Sequence, residues 1–127
     1  MGPGELRSAD RHAVDRAIRD AEQTSRYEFS VFVGSSEDEP PREFAARLHR
    51  SLVAPARSVL VMVDPGRRVL EVVTGEQVRR NLTDSEVELA IGTMQHEFAE
   101  GDLTGGLVRG IQLLAEHSRA PRTLHAP

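Results

Sequence analysis

Residues 58–87 read SVLVMVDPGRRVLEVVTGEQVRRNLTDSEV, and this stretch decides the fold. Its first apolar run, residues 58–63, is continuous, which is typical of a strand covered on both faces. The second run, residues 69–74, alternates in polarity and predicts a strand antiparallel to the first. Between them, residues 64–67 match a type II turn, in which Gly66 takes the positive φ.

A helix start follows the second of these strands. Gly75 breaks the strand, and Thr83 with Glu86 forms the sequence pattern of a capping box. Apolar residues at helical spacing extend this helix over residues 84–100. Gly101 predicts its end in the left-handed conformation.

The remaining segments predict three more helices and one more strand. Helical spacing indicates helices over about residues 8–25, with Ser8 as the N-cap, 41–52 and 103–117. In the second of these, His49 lies one position from the buried stripe, so we expect it to be exposed. Alternating β-prone residues predict the first strand over residues 27–33.

The order of these elements predicts a three-layer α/β/α sandwich on a small mixed sheet. Two strands joined through a helix must be parallel with a right-handed crossover, and the third strand turns back beside the second. We expect one domain over residues 8–118, with flexible ends at residues 1–7 and 119–127.

The bulk composition limits the partners and location that we expect. The chain has 127 residues, 39% hydrophobic, and a net charge of −4, which disfavours a nucleic-acid partner because such proteins need a basic face. Its sixteen basic side chains are all arginine, a bias typical of a GC-rich genome. The longest strongly apolar run, residues 59–63, is too short for a membrane span, and no secretory signal pattern precedes it. We therefore expect a cytoplasmic protein.

The familiar catalytic and metal-binding motifs are absent from the sequence. There are no cysteines, and the five histidines do not form the His-Glu-x-x-His pattern of zinc proteases. No serine lies in a Gly-x-Ser-x-Gly turn. The glycines at 101–106 precede a helix, but the chain has no lysine for a phosphate-binding loop, so Asp102 is better explained as a helix cap. The acidic loop at residues 35–41 lacks the ligand spacing of an EF-hand.

One edge of the predicted sheet gathers polar residues that could bind a ligand. The third strand ends at Gly75, the loop at residues 54–57 enters the second strand at the same edge, and the third helix begins nearby. Crevices at sheet edges often hold ligands, and arginines beside a helix N-terminus favour an anion. An ordinary polar rim would have the same composition. The candidate residues of this edge are Arg57, Gly75, Glu76, Gln77, Arg79, Arg80, Asn81 and Asp84.

Six short stretches of the sequence match patterns of a known family: FSVFVG at 29–34, SVLVMV at 58–63, RVLEVVTG at 68–75, NLTD at 81–84, FAEGD at 98–102 and GGL at 105–107. On these stretches, residues 27–114 resemble the TPM domain, also called the TPM phosphatase domain, and more closely an actinobacterial family of unknown function related to it. The resemblance implies a Rossmann-like α/β/α sandwich. Some TPM members are described as acid phosphatases, some bind calcium, and others act in photosystem repair or as membrane-tethered modules.

The sequence departs from the TPM pattern where that pattern carries charge. Gly75 and residues 82–84 match the family pattern Gly-Tyr-Gly-Leu-Glu-Gly-x-Leu-Thr-Asp. However, Arg79 stands where the family has Glu, and Ala56 stands where it tends to have Asp. Calcium needs several hard oxygen ligands. These exchanges therefore disfavour a metal-dependent phosphatase at this edge.

We therefore expect a non-catalytic TPM-like module that needs no cofactor and binds a protein or a small anionic ligand at this edge. The alternative is a weak acid phosphatase or a calcium-binding domain that uses Glu76, Asp84 and Asp102. A third hypothesis is a homo-oligomeric structural protein, because the sequence leaves the oligomeric state open.

Overall fold

A computed structural model describes residues 6–119 of the chain. The predicted flexible ends fall outside these residues, apart from Leu6, Arg7 and Arg119. Two 3₁₀ helices that the sequence did not predict, Pro55–Arg57 and Val78–Arg80, precede the second strand and the third helix. The main elements are α1 (Ser8–Ser25), β1 (Glu28–Val33), α2 (Pro41–Arg50), β2 (Ser58–Asp64), β3 (Val69–Thr74), α3 (Asp84–Ala99) and α4 (Leu103–Ser118).

The sheet has the predicted mixed topology, with strand order β1-β2-β3. β1 runs parallel to β2, with Glu28 opposite Ser58, and β3 runs antiparallel to β2, with Val59 opposite Thr74. Every residue of β2 is buried. A continuously apolar strand thus occupies the one position in the sheet that is paired on both sides and covered on both faces.

Helices cover both faces of the sheet, which confirms the predicted sandwich. On one face, Ala45 of α2 packs against Leu60 and Met62 of β2. The other face carries α1, α3 and α4, and α4 packs against both of the others. The larger core lies on this side, where Leu107 and Ile111 of α4 are completely buried. Within residues 6–119, none of these helices is long and apolar enough to cross a membrane.

The predicted type II turn between β2 and β3 is wrong. Among the described residues, the positive φ in this turn belongs to Arg68, at 56°, and not to Gly66. The Arg67 N–H donates to Asp64 O and the Arg68 N–H to Pro65 O, both at 3.2 Å. The chain therefore makes two overlapping turns before it reverses. The strain of the left-handed conformation falls on an arginine.

The start of α1 also differs from the prediction. Ser8 is the first helical residue and not the cap; Arg7 holds the N-cap position and makes no side-chain capping bond. The second helix ends at Arg50, two residues earlier than predicted.

α3 begins as predicted and ends at Ala99, one residue earlier than predicted, with Gly101 in the expected left-handed conformation. Thr83 Oγ1 accepts a hydrogen bond from the Glu86 N–H at 3.2 Å, and the Glu86 carboxylate accepts one from the Thr83 N–H at 2.9 Å. At the other end, Gly101 has a φ of 87°, a value at which a side chain would be strained. Asp102 then caps α4 by accepting a bond from the Gly105 N–H at 2.8 Å. These caps place α3 and α4 as an antiparallel pair.

Candidate functional site

The exit of β3 meets the loop that enters β2, as the sequence predicted. The Gly75 N–H donates to Ser58 O at 2.9 Å, and the Gln77 N–H donates to Ala56 O at 2.9 Å. A Cβ atom on Gly75 would lie 2.1 Å from Pro55 O. Only glycine permits this approach of two backbone segments. We call this region the Gly75 edge.

Tyr27 holds one side of the Gly75 edge together. Its hydroxyl donates to Gln77 O at 3.1 Å and accepts a bond from Asn81 Nδ2 at 2.8 Å. The Arg57 guanidinium lies 5.4 Å from the centre of the Tyr27 ring, and Arg57 also donates to Gln77 Oε1 at 3.2 Å and to Arg26 O at 2.5 Å. Arg57, Gln77 and Asn81 are thus committed to contacts within the protein.

The other side of the Gly75 edge is a groove of about 390 Å³, which we call the edge groove. Of the predicted candidates, Gly75, Glu76 and Arg79 line it. The C-terminal part of α2 forms the opposite wall, which the sequence analysis did not assign to this site. The lining residues are Ala46, His49, Arg50, Pro55, Ala56, Val73, Thr74, Gly75, Glu76 and Arg79.

His49 is buried, contrary to the prediction that it is exposed. The residue is only 7% exposed, and Nε2 lies 3.0 Å from Ser58 O. Because a carbonyl oxygen only accepts, Nε2 must carry the hydrogen. In the neutral ring, Nδ1 is then left with a lone pair. The bond joins α2 to the start of β2.

The charges of the edge groove are predominantly positive. Arg50 and Arg79 are exposed, and Glu76 is the single acidic residue among the lining residues. Arg79 Nη1 donates to Thr74 O, which fixes the side chain without neutralising it. Within residues 6–119, neither arginine forms an ion pair. Two guanidinium groups can therefore act on a ligand in this groove.

Asp84 lies in the first turn of α3, exposed and outside the edge groove. The neighbouring Glu86 closes the capping box and contacts His117 Nδ1 at 3.3 Å. The hydrogen bond from the Thr83 N–H is the main reason that the pKa of Glu86 lies below its ordinary value, and His117 adds to the effect. This carboxylate is engaged in holding the helix start.

The three acidic residues of the calcium alternative do not come together. Asp102 follows the end of α3, whereas Asp84 begins it. A helix of 16 residues separates them by about 24 Å. Of the proposed ligands, only Glu76 lines the edge groove. Across residues 6–119, no group of three histidine, aspartate or glutamate side chains is arranged to hold a metal ion.

A second polar cluster, which the sequence analysis missed, lies at the opposite end of the sheet. Asp64, the last residue of β2, is only 3% exposed, and its carboxylate accepts hydrogen bonds from Ser36 and Arg67. Arg67 Nη1 donates to Ser36 Oγ at 2.8 Å. Burial raises the pKa of Asp64, but the bonds from Ser36 and Arg67 lower it by more, so it lies below its ordinary value.

The family of the chain is shown by its similarity to known proteins. The sequence pattern of the family described as "Domain of unknown function (DUF5130)" matches residues 5–115. The chain belongs to this family. It is also 30% identical over 122 residues to the uncharacterized proteins Rv2468c and MT2543 of two Mycobacterium tuberculosis strains. The alignment covers 89% of this chain and 71% of each relative.

Solved structures share the fold of this DUF5130 domain. BA42 from Bizionia argentinensis matches with a TM-score of 0.79 and 21% identity over 87% of this chain and 79% of that one. The N-terminal domain of a P. gingivalis protein matches with a TM-score of 0.77 and 20% identity, over 94% of this chain and 84% of that one. The N-terminal domain of cg2496 from Corynebacterium glutamicum matches with a TM-score of 0.73 and 17% identity, over 98% of this chain and 85% of that one. At these identities the likeness shows the fold alone.

Proposed function

We propose that this DUF5130 domain is a TPM-like binding module without catalytic activity, and that it takes a small anionic ligand in the edge groove. The observation that carries the proposal is that Arg50 and Arg79, from two separate elements, line one groove of about 390 Å³. A cytoplasmic location stays a prediction from the sequence.

The positive charge of the groove supports an anion as its ligand. Arg50 approaches from α2, whereas Arg79 belongs to the 3₁₀ helix before α3. Guanidinium groups match carboxylate and phosphate oxygens with paired hydrogen bonds. Both side chains are already exposed, so a ligand can form these bonds without first breaking a buried ion pair.

The size of the groove supports a small ligand. Sites for small molecules measure about 300–1,000 Å³, and the edge groove lies near the lower limit of this range. The base of the groove is rigid, because Gly75 packs against the backbone of Pro55 and Ala56 and because His49 is hydrogen-bonded to Ser58 O. A rigid floor lowers the entropy that binding must overcome.

The resemblance to TPM domains supports binding rather than catalysis. Ala56 and Arg79 stand at positions where the TPM pattern has carboxylates. Ala56 contributes its carbonyl oxygen to the Gln77 N–H, a contact that needs no acidic side chain. Arg79 adds positive charge where a cation would otherwise bind. Of the two positions where the resembling family has acidic groups, one thus carries a cation and the other a neutral alanine.

Titration of the full chain with inorganic phosphate tests the proposal. Amide chemical shifts should move for groove residues and saturate, and Arg50→Gln or Arg79→Gln should each weaken binding by about tenfold. Arg109→Gln removes the same charge from an exposed site on α4 and should have no effect. Phosphate binding that is absent, or unchanged in both groove variants, would overturn the ligand site. Hydrolysis of p-nitrophenyl phosphate that Asp84→Asn abolishes would overturn the non-catalytic assignment.

A further inference from the structure

A second groove lies at the other end of the sheet and differs in chemistry from the edge groove. It measures about 370 Å³ and lies between the β2–β3 turn, the end of α3 and the start of α4. We call it the hairpin groove. Its lining residues are Val63, Pro65, Arg68, Val69, Leu70, Gln95, Phe98, Ala99, Gly101 and Leu103.

The walls of the hairpin groove are held by features described above. Gly101 ends α3 in the left-handed conformation, so the chain turns back and brings Leu103 beside the β2–β3 turn. A Cβ atom on Gly106 would lie 2.5 Å from Phe98 Cε1, so the Phe98 ring packs directly on α4. Val63 at the base of the groove belongs to the buried core. The groove is therefore a fixed concavity.

The composition of the hairpin groove is apolar with a single charge. Seven of its ten lining residues carry apolar side chains, one is a glycine, and the only polar ones are Arg68 and Gln95. Both are exposed. In the described part of the chain, neither side chain makes a hydrogen bond or an ion pair to another residue. Ligand sites commonly combine an apolar lining with a few polar groups that fix orientation.

We propose that the hairpin groove binds a small amphipathic carboxylate, whose alkyl chain lies against Leu70, Phe98 and Leu103 and whose carboxylate pairs with Arg68. The charge argues for this ligand, because Arg68 is the only charged residue that lines the groove. The size fits a small molecule, since about 370 Å³ lies within the range of roughly 300–1,000 Å³ of small-molecule sites. The site is independent of the edge groove and of the function proposed for it.

A series of free carboxylates tests the proposal on the full chain. Acetate, hexanoate, octanoate and decanoate are titrated below their micelle concentrations, and binding is followed by methyl and amide chemical shifts. Each added methylene should tighten binding by up to about fourfold while apolar surface remains to be covered. Octyltrimethylammonium has a comparable chain with the opposite charge and should bind more weakly than octanoate.

Variants of the groove separate the role of the charge from that of the apolar wall. Arg68→Asn removes the charge with a residue that tolerates the left-handed conformation, and it should weaken octanoate binding by about tenfold. Arg68→Lys should retain most of the affinity, and Arg109→Gln should retain all of it. Ala99 is exposed at the end of α3. Ala99→Leu should fill part of the groove and weaken octanoate without reducing stability.

Several results would overturn the proposal. These include no saturable binding of octanoate, equal affinity for the cationic amphiphile, and an Arg68→Asn variant that binds as tightly as the parent. Concentration-dependent shifts of the groove residues without ligand would show that a second copy covers the groove. Binding that requires removal of residues 1–5 would show that the chain's own N-terminal segment fills it.

Discussion

The carboxylate of Asp64 accepts two hydrogen bonds from Ser36, one from its backbone N–H at 2.8 Å and one from its hydroxyl at 2.7 Å. The two residues are 28 positions apart. Asp64 ends β2, and Ser36 lies in the loop that follows β1. The carboxylate therefore joins the carboxyl ends of the two parallel strands, next to the backbone bond from the Gly34 N–H to Val63 O at 3.0 Å.

Replacement of Asp64 by asparagine should destabilise the protein. Both Ser36 bonds go to one carboxylate oxygen, and the Arg67 N–H donates to the other. The amide has only one acceptor oxygen, so its NH2 group must face either the Ser36 donors or the Arg67 N–H, which then lose their partner. We expect the free energy of unfolding to fall by about 1–3 kcal/mol. Urea denaturation measures this change. The control is Asp38→Asn, which alters an exposed aspartate in the loop that contains Ser36. Equal stability of the two variants would contradict a structural role for the carboxylate.

The same carboxylate should make stability depend on pH in acid. The pKa of Asp64 in the folded protein lies below its ordinary value of 3.8. Its stabilising effect is therefore fully present above the unfolded pKa and is lost as the pH falls through the folded pKa. The stability difference between the parent and Asp64→Asn should be constant near neutrality and shrink below about pH 4. A difference that grows in acid would show that the assigned direction is wrong.

Two glycine-to-alanine substitutions should have opposite effects. In Gly75→Ala, the new Cβ would meet backbone oxygens of Pro55 and Ala56 at 2.1 and 2.4 Å, so the junction must open. We expect a loss of about 1–3 kcal/mol. In Gly92→Ala, nothing lies within 4 Å of the new Cβ, and α3 gains a better helix former. We expect a gain of about 0.5–1 kcal/mol. Chemical denaturation measures both, and a Gly75→Ala variant as stable as the parent would refute the close approach.

Loss of the capping box should weaken the start of α3. Thr83→Ala removes the Oγ1 acceptor of the Glu86 N–H, and we expect it to cost about 1 kcal/mol. Compared with the parent, the Thr83→Ala variant should show faster hydrogen exchange at the first amides of α3, with less change at those of its centre. Ser85→Ala lies within the same helical turn but outside the cap, so it serves as the matched control. If both variants lost the same stability, the cap itself would not be the cause.

Calcium should leave the melting temperature unchanged. Glu76 and Asp84 are the acidic candidates at the Gly75 edge, where Arg79 adds a positive charge, and Asp102 lies beyond the far end of α3. Calcium takes six to eight oxygen ligands. Differential scanning calorimetry with and without millimolar calcium measures the melting temperature. A saturable rise in melting temperature that Asp84→Asn abolishes would favour the calcium-binding alternative.

Local chemistry allowed much of the fold to be predicted. The capping box at Thr83 and the left-handed end at Gly101 depend on residues within one helical turn, so short patterns identify them. The continuous apolar run of β2 predicted a central strand, because only such a strand excludes water from both faces. The left-handed residue of the β2–β3 turn was misplaced, because Gly66 accepts positive φ at lower cost than Arg68 and the turn geometry overrode that preference.

The candidate site was less predictable because its parts are distant in sequence. The Gly75 edge followed from topology, but nothing near Arg50 or His49 indicates that α2 forms the facing wall. Periodicity placed His49 beside the apolar stripe, whereas its bond to Ser58 O draws the ring inward. The second polar cluster does have a signal in the sequence, because Asp64 directly follows the buried run of β2 and a buried charge at that position needs a partner.

The packing of α1 against α4 bears on how the chain completes its fold during synthesis. α1 emerges from the ribosome before α4, but the surface that covers Val14 and Ala17 includes α4. The sheet face that α4 covers therefore stays open until α4 has been synthesised. At about 5–20 residues per second, the chain spends several seconds with that face exposed. Truncation of either terminal helix should therefore leave a nascent-like chain that chaperones retain, rather than a smaller folded domain.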